Sequence, residues 1–298
     1  MDLQSLTTES ALPESADLDR MPVADLLALM NAEDHKAPAA VTAALPQIVR
    51  AVELIVAARA RGGRLIYLGA GTSGRLGLLD AVECPPTFGT EPGDVVGLIA
   101  GGRQAAGTAV EGAEDDPLLG AEDLRGIDLR AVDVVVGLTA SGRTPYVLGG
   151  LDHATSVGAL TVSVACNIGA LVSSHADVAI ELATGPEVLT GSTRLKAGTA
   201  QKLVCNMLST AAMVQGGKVF GNLMVDVRPT NAKLVDRARR IVATAARTDA
   251  DTAAAALDAA GGEVKVAVVM LLAMCSRQTA IDRLARADGR VRPAVDGL

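Results

Sequence analysis

Aromatic residues are almost missing from this chain: its 298 residues include no tryptophan, two tyrosines (Tyr67, Tyr146) and two phenylalanines (Phe88, Phe220). Without rings for bases to stack on, single-stranded nucleic acid is excluded as a partner, and the core has to be packed with alanine, valine and leucine. Cysteine and histidine are also scarce. Cys84, Cys166, Cys205 and Cys275 form no C-x-x-C pair, and His35, His153 and His175 are equally scattered, so no metal site is expected from spacing. Each cysteine reads as a small buried apolar residue. Net positive charge is absent: the formal charge is -7, so the field of the whole molecule repels nucleic acid and anionic membrane while leaving room for a local anion pocket. The longest apolar run, residues 266–275, is about half of the roughly 20 residues a membrane-spanning helix requires. The N-terminal segment MDLQSLTTESALPESADLDR has neither the basic start nor the apolar stretch of a signal peptide, so the expected location is the cytoplasm.

What is present is a 49% apolar composition, enough for one substantial α/β domain with a smaller appendage. Leu45, Ile48, Val49, Val52, Ile55 and Val56 recur at helical spacing, and Gly62-Gly63 then separates them from the apolar run 65–68, a helix, turn and strand. Further short apolar runs at 95–100, 132–138, 160–165 and 178–182 alternate with segments of helical length, which predicts a parallel sheet covered by helices on both faces. From about Val225 onward the chain holds Ala-rich helical stretches broken at Gly261-Gly262 and Gly289 and no strand pattern, a separate all-helical bundle. The basic cluster Arg237, Arg239, Arg240 and Arg247 reads as a solvated helix face. The expected organisation is a helical arm over 1–50, the α/β domain over 51–225 and the helical bundle over 226–298.

In an open parallel sheet the ligand sits beyond the carboxyl ends of the strands, and there the loops are unusual. The first strand runs into GAGTSG, residues 69–74, which fits the dinucleotide fingerprint letter for letter. A dinucleotide site also needs an acidic residue ending the second strand, and that strand ends Ala100-Gly101-Gly102, so no nucleotide cofactor is expected. What remains is a turn in which Gly71, Thr72 and Ser73 can offer N–H groups and hydroxyls to a phosphate at a helix N-terminus. The loop after the third strand repeats the chemistry with Thr139, Ser141, Gly142, Arg143 and Thr144, and a third hydroxyl-rich stretch spans 190–193 with Ser192. Helix capping would explain one such loop; three on one rim point to a sugar-phosphate pocket. Carboxylates stand nearby: Glu83 among the apolar residues of DAVECPP, either partly desolvated or an exposed helix-end glutamate, just before a Pro-Pro helix stop; Glu111, Glu114, Asp115 and Asp116 in VEGAEDD; and Glu187, which with Lys196 flanks the third loop. A salt-bridged surface role competes with sugar contact for the last two.

These segments together, RLIYLGAGTSGRLGLLDAVECPP (64–86), VVGLIAGG (95–102), VEGAEDD (110–116), DVVVGLTASGRTPYVLGGL (133–151) and the stretches 190–210 and 217–227, closely resemble the N-acetylmuramic acid 6-phosphate etherases of bacterial cell-wall sugar recycling. The resemblance implies a sugar isomerase (SIS) domain with a doubly wound parallel sheet and a small C-terminal all-helical domain. It also implies a phosphorylated amino sugar as substrate, a homodimer in which one subunit helps complete the other's site, and neither metal nor cofactor. Carried onto this chain, Glu83 matches the family's proton donor, and Glu114 or Asp115 the second acid/base. Gly71, Thr72, Ser73, Ser141, Gly142, Arg143, Thr144, Ser192 and Lys196 are then substrate contacts. Glucokinase regulatory proteins resemble the same family, so a sugar-phosphate sensor is the non-enzymatic alternative.

Overall fold

A computed structural model of the chain describes residues 6–108, 110–227 and 232–297; the first five residues of the N-terminal segment lie outside them. The chain divides into two compact units, Met1–Val82 with Pro92–Ser209, and Glu83–Glu91 with Thr210–Leu298.

In the first unit three short 3-10 turns over Thr7–Glu9, Pro13–Ser15 and Leu18–Arg20 lead into helices α1 (Val23–Asp34), α2 (Lys36–Ala43) and α3 (Leu45–Arg59). Then β1 (Leu65–Gly69), α4 (Gly71–Phe88), β2 (Val95–Ile99), a short α5 (Gln104–Gly107), α6 (Pro117–Gly126), β3 (Val134–Leu138), α7 (Pro145–Val157), β4 (Leu160–Ala165), β5 (Val178–Glu181) and α8 (Lys196–Gln215) follow. The strands pair in the order β2-β1-β3-β4-β5, every pair parallel. The chain steps from β1 to one side and then returns to the other for β3. The crevice between the carboxyl ends of those two strands is therefore the switch point where such sheets bind ligands.

The apolar runs read as strands because a parallel sheet covered on both faces buries every residue, and β1 and β3 are buried throughout. Alternation within β1 separates the two faces. Ile66 and Leu68 join Val135 in a core with Leu124 of α6 and Tyr146, Val147 and Leu151 of α7. Tyr67 points the other way, where its hydroxyl donates to Asp80 Oδ2 of α4 at 2.8 Å and to the Cys205 carbonyl of α8 at 3.2 Å. With so few rings to fill space, helices are packed closely instead. A Cβ on Gly149 of α7 would stand 1.9 Å from the Pro117 carbonyl oxygen, and one on Gly120 of α6 2.1 Å from that of Tyr146.

The second unit holds the two-stranded β6 (Val219–Phe220) and β7 (Leu223–Met224) and helices α9 (Ala232–Ala246), α10 (Ala250–Ala259), α11 (Val264–Leu272), α12 (Arg277–Arg286) and α13 (Val291–Asp296). They share an alanine- and valine-rich core that includes Ala238, Val242, Ala253, Leu257, Val266 and Ala280. Asp226 is held by Lys265 at 2.7 Å and Lys218 at 3.0 Å. In the basic helix α9, Arg240 pairs with Asp236 at 2.9 Å on an exposed face.

One expectation is corrected. Helix α4 does not stop before Pro85-Pro86; both prolines lie inside it. They fall in the last turn, where Gly89 N still donates to the Pro85 carbonyl at 2.9 Å, so the loss of their N–H groups ends the helix shortly afterwards and not before. The first unit ends at Ser209, and the stretch Glu83–Glu91 goes with the C-terminal part. A 20-residue helix such as α8 is about 30 Å long and outruns five-residue strands of about 17 Å, so its last turns pack with the helices that follow.

Candidate functional site

A cleft of about 470 Å³ opens at the switch point, lined by Ala70, Gly71, Thr72 and Ser73 after β1 and by Thr139, Ala140, Ser141, Arg143, Thr144 and Pro145 after β3. Glu9, Glu114, Asp115 and Thr193 complete its wall. The first α-helical bond of α4 runs from Gly74 N to the Ala70 carbonyl at 3.1 Å, so the N–H groups of Gly71, Thr72 and Ser73 have no intrahelical partner and meet the cleft at the positive end of the helix.

Neither hydroxyl loop is used up by capping. Ser73, 7% exposed, donates from Oγ to Gln201 Oε1 of α8 at 2.8 Å. Thr144 is the N-cap of α7, yet it makes no side-chain cap; its hydroxyl lies 2.7 Å from that of Thr139. Thr139 Oγ1 also accepts from Gly142 N at 3.2 Å, and Ser141 Oγ accepts from Arg143 N at 3.2 Å. The loop thus holds its own hydroxyls in place by short exchangeable bonds. Gly142 itself does not line the cleft. It makes the turn possible, with φ 76° and a hypothetical Cβ only 2.5 Å from that of Ala170.

The acidic segment sorts itself by position. Asp116 caps α6, accepting from Leu118 N at 2.8 Å, and Glu111 is exposed. Glu114 and Asp115 face the cleft, and the Glu114 carbonyl is anchored by Tyr146 N at 3.0 Å on the first turn of α7.

The third loop contributes Thr193, while the expected contact Ser192 is not among the lining residues. Lys196, expected at the sugar, is 1% exposed and donates to Glu33 Oε2 at 2.6 Å and to the Pro186 carbonyl at 2.7 Å. It is committed here to α1 and the backbone in a buried ion pair, not one on the surface. Burial pushes the Glu33 carboxyl up, but hydrogen bonds from Lys196 and Lys36 outweigh it and hold it below the ordinary carboxylate range. Glu187 is likewise engaged: it caps α8, accepting from Ala197 N at 2.8 Å and Lys196 N at 3.1 Å, and its burial leaves it above the ordinary value.

Glu83 is not brought to the cleft wall. It is exposed, the helix-end alternative, and belongs to the second unit. With Leu79, Val82 and Pro86 it forms a stripe at i, i+3, i+4 and i+7 spacing, where Leu79 is 48% and Val82 62% exposed.

Sequence reasoning overlooked Glu9. It arrives from the N-terminal turn, and the only local hint was its place after two threonines. Cys166, just after β4, is a fully buried thiol, which pushes it up to about 12 and leaves it a neutral packing group. Among the described residues no group of three or more His, Cys, Asp or Glu side chains converges as metal ligands, and no single helix is long and apolar enough to cross a membrane.

Comparison with known proteins gives consistent relatives. Residues 47–155 match the family described as glucokinase regulatory protein N-terminal SIS domain. Over nearly its whole length the chain is similar to an N-acetylmuramic acid 6-phosphate etherase from Mycolicibacterium smegmatis, 63% identical, covering 99% of each chain. It is 56% identical to another from an Exiguobacterium species, over 98% of this chain and 100% of that one. Among solved structures, a phosphoheptose isomerase from Neisseria gonorrhoeae aligns with TM-score 0.49 and 18% identity over 65% of this chain and 98% of that chain.

Proposed function

The chain belongs to the N-acetylmuramic acid 6-phosphate etherase family, and from that premise we propose that it converts N-acetylmuramic acid 6-phosphate and water into N-acetylglucosamine 6-phosphate and D-lactate. The observation that carries the reading is the switch-point cleft, in which hydroxyl-rich loops and carboxylates share one wall. In this reading Gly71, Thr72, Ser73, Ser141, Thr144 and Arg143 hold the phosphate, leaving Glu114 and Asp115 beside the reacting carbons.

An ether resists direct displacement. In the open-chain sugar the C1 aldehyde acidifies the C2 proton, so Glu114 or Asp115 removes it as base, a double bond forms between C2 and C3, and the C3–oxygen bond breaks. The departing lactate oxygen takes a proton from an acid, the role assigned to Glu83. Water then adds at C3, its proton returning to the carboxylates, and C2 is reprotonated. Two carboxyl groups with opposite starting protonation suffice for both transfers.

Glu83 enters this scheme from a second copy of the chain. Its exposed apolar flanks, Leu79 and Val82, suit an interface helix, and in a closed two-fold dimer whatever one protomer lends to the other's site is returned in kind. The likeness along the full chain supports the lyase over a sugar-phosphate sensor, for which the matched SIS segment alone would serve.

The test is release of D-lactate from N-acetylmuramic acid 6-phosphate by the purified chain. Binding of the sugar phosphate without lactate would leave the sensor. Glu83→Ala should lower lactate release roughly 10²-fold or more. Mixing Glu83→Ala chains with chains of whichever base variant is inactive, Glu114→Gln or Asp115→Asn, should restore up to about a quarter of wild-type activity, because half of the dimers then contain one intact composite site. Mixtures as dead as their parents would overturn the shared site.

A further inference from the structure

We propose that the N-terminal turn is a working wall of the site: Glu9 is the acceptor for the hydroxyl or amide N–H groups of the sugar, and Asn167 is the positioning residue that latches it there. The proposal rests on the sugar-phosphate reading of the cleft and adds a residue and a specificity element to it.

The latch is built from one buried amide. Asn167, 3% exposed, follows β4. Its Oδ1 accepts from Thr7 Oγ1 at 2.8 Å and Thr8 N at 3.3 Å. Its Nδ2 donates to Thr8 Oγ1 at 3.0 Å and reaches the carbonyls of Ala140 at 3.2 Å and Ser141 at 3.3 Å. One side chain therefore ties the arm to the second hydroxyl loop. Thr8 is fully buried, and Leu6 and Leu12 bury their side chains on either side of the turn, so the turn is anchored by apolar contacts as well as by the amide.

Glu9, the next residue, is half-buried and lines the cleft with Ser73, Ser141 and Arg143. Its Oε2 lies 3.3 Å from where a Cβ on Gly191 would begin, which puts the carboxylate against the third loop. Among the described residues nothing donates to that carboxylate. A carboxylate that lines the cleft with no donor from the protein is open to accept from a ligand that supplies one. Phosphate cannot be that ligand group, since like charges repel. The neutral, donor-rich part of a sugar phosphate can, and a carboxylate sharing the cleft with the hydroxyl loops favours sugar phosphates over bare anions.

The sign of that discrimination gives the test. N-acetylglucosamine 6-phosphate and inorganic phosphate are each titrated into wild-type protein, Glu9→Gln, Glu9→Ala and Asn167→Asp. Glu9→Ala should weaken the sugar phosphate ten-fold or more, the scale of a hydrogen bond to a charged group, with Glu9→Gln intermediate. In both variants inorganic phosphate should bind equally well or more tightly. Asn167→Asp should weaken the sugar phosphate and make residues 6–20 sensitive to protease. Unchanged sugar-phosphate affinity in Glu9→Ala, or a parallel loss of both ligands in Glu9→Gln, overturns the role of Glu9. An arm that stays protease-resistant in Asn167→Asp overturns the latch. Lactate output of the wild-type chain reports separately on the reaction, so the failure of one reading is distinguishable from failure of the other.

Discussion

The two ends of the parallel sheet use carboxylates in opposite ways. At the amino end, Asp133 is completely buried just before β3 and is surrounded by donors. Arg64 gives its backbone N at 2.9 Å, Nε at 3.1 Å and an NH2 at 2.7 Å, and Arg130 gives its N at 2.9 Å and an NH2 at 3.0 Å. Asp177 closes the same edge by accepting from Thr161 N at 2.8 Å. At the carboxyl end, Glu9, Glu114 and Asp115 stand in a cleft whose only lining cation among the described residues is Arg143. A carboxylate whose lone pairs are filled by the protein holds the fold together; one left short of donors is available to a ligand. The geometry of the sheet makes the division, because helix N-termini and loops gather where the strands end.

The largest effect should come from breaking the satisfied end. Asp133→Ala leaves two arginines and several N–H groups without their acceptor, a loss of about 3–5 kcal/mol and a fall of roughly 10 °C in thermal midpoint, with kcat at room temperature within about two-fold because the cleft is at the other end. Burial pushes the Asp133 carboxyl up, and the hydrogen bonds from Arg64 and Arg130 outweigh it, leaving it below the ordinary range. A group depressed in the folded state contributes its stability above the unfolded value and loses it as pH falls through the folded one. The stability gap between wild type and Asp133→Asn should therefore shrink below about pH 4. A gap that widens on acidification breaks the assignment.

At the other end, Glu114→Gln and Asp115→Asn form a pair of opposite outcomes. The variant that removes the base should lose roughly 10²-fold in kcat together with solvent exchange of the C2 proton, while its neighbour stays within about ten-fold. Neither should move the thermal midpoint by more than about 2 °C, since both side chains are exposed. Mild kinetic effects in both would erase the contrast between the ends of the sheet. A smaller loss is expected for Ser141→Ala, about ten-fold in KM for the sugar phosphate, because it removes a donor to an anion; a shift in unfolding without a shift in KM would assign Ser141 to the fold.

The fold was largely legible because parallel strands buried on both faces appear as unbroken apolar runs, and β4 spans the residues its run marked out. Both hydroxyl loops were legible because each follows directly on such a run. What escaped depends on distant partners. Thr7 meets Asn167 across 160 positions and Lys196 meets Glu33 across 163, so neither the arrival of Glu9 nor the diversion of Lys196 leaves a local trace. The β6–β7 hairpin, two residues per strand, is too short for periodicity to register.

The smallest predicted effect concerns Gln201, which lies between the two kinds of polar group. It is fully buried and its Oε1 accepts the Ser73 hydroxyl proton at 2.8 Å, while its Nε2 has no partner among the described residues. With that amide orientation Ser73 has no proton left for a phosphate. Turning the amide over places Nε2 on Ser73 Oγ, moves the unpartnered position to Oε1 and frees the hydroxyl proton to point into the cleft. An arriving anion favours the turned state, because it accepts the released proton and the N–H groups of the α4 first turn at once. Gln201→Leu removes this switch without adding charge. KM for the sugar phosphate should rise only about three-fold, the scale of one neutral hydrogen bond, and stability should hold or improve because an unpaired buried donor is gone. If KM is unchanged while the thermal midpoint falls, Gln201 belongs with Asp133 among the groups the fold has already satisfied, and Ser73 donates to phosphate without help.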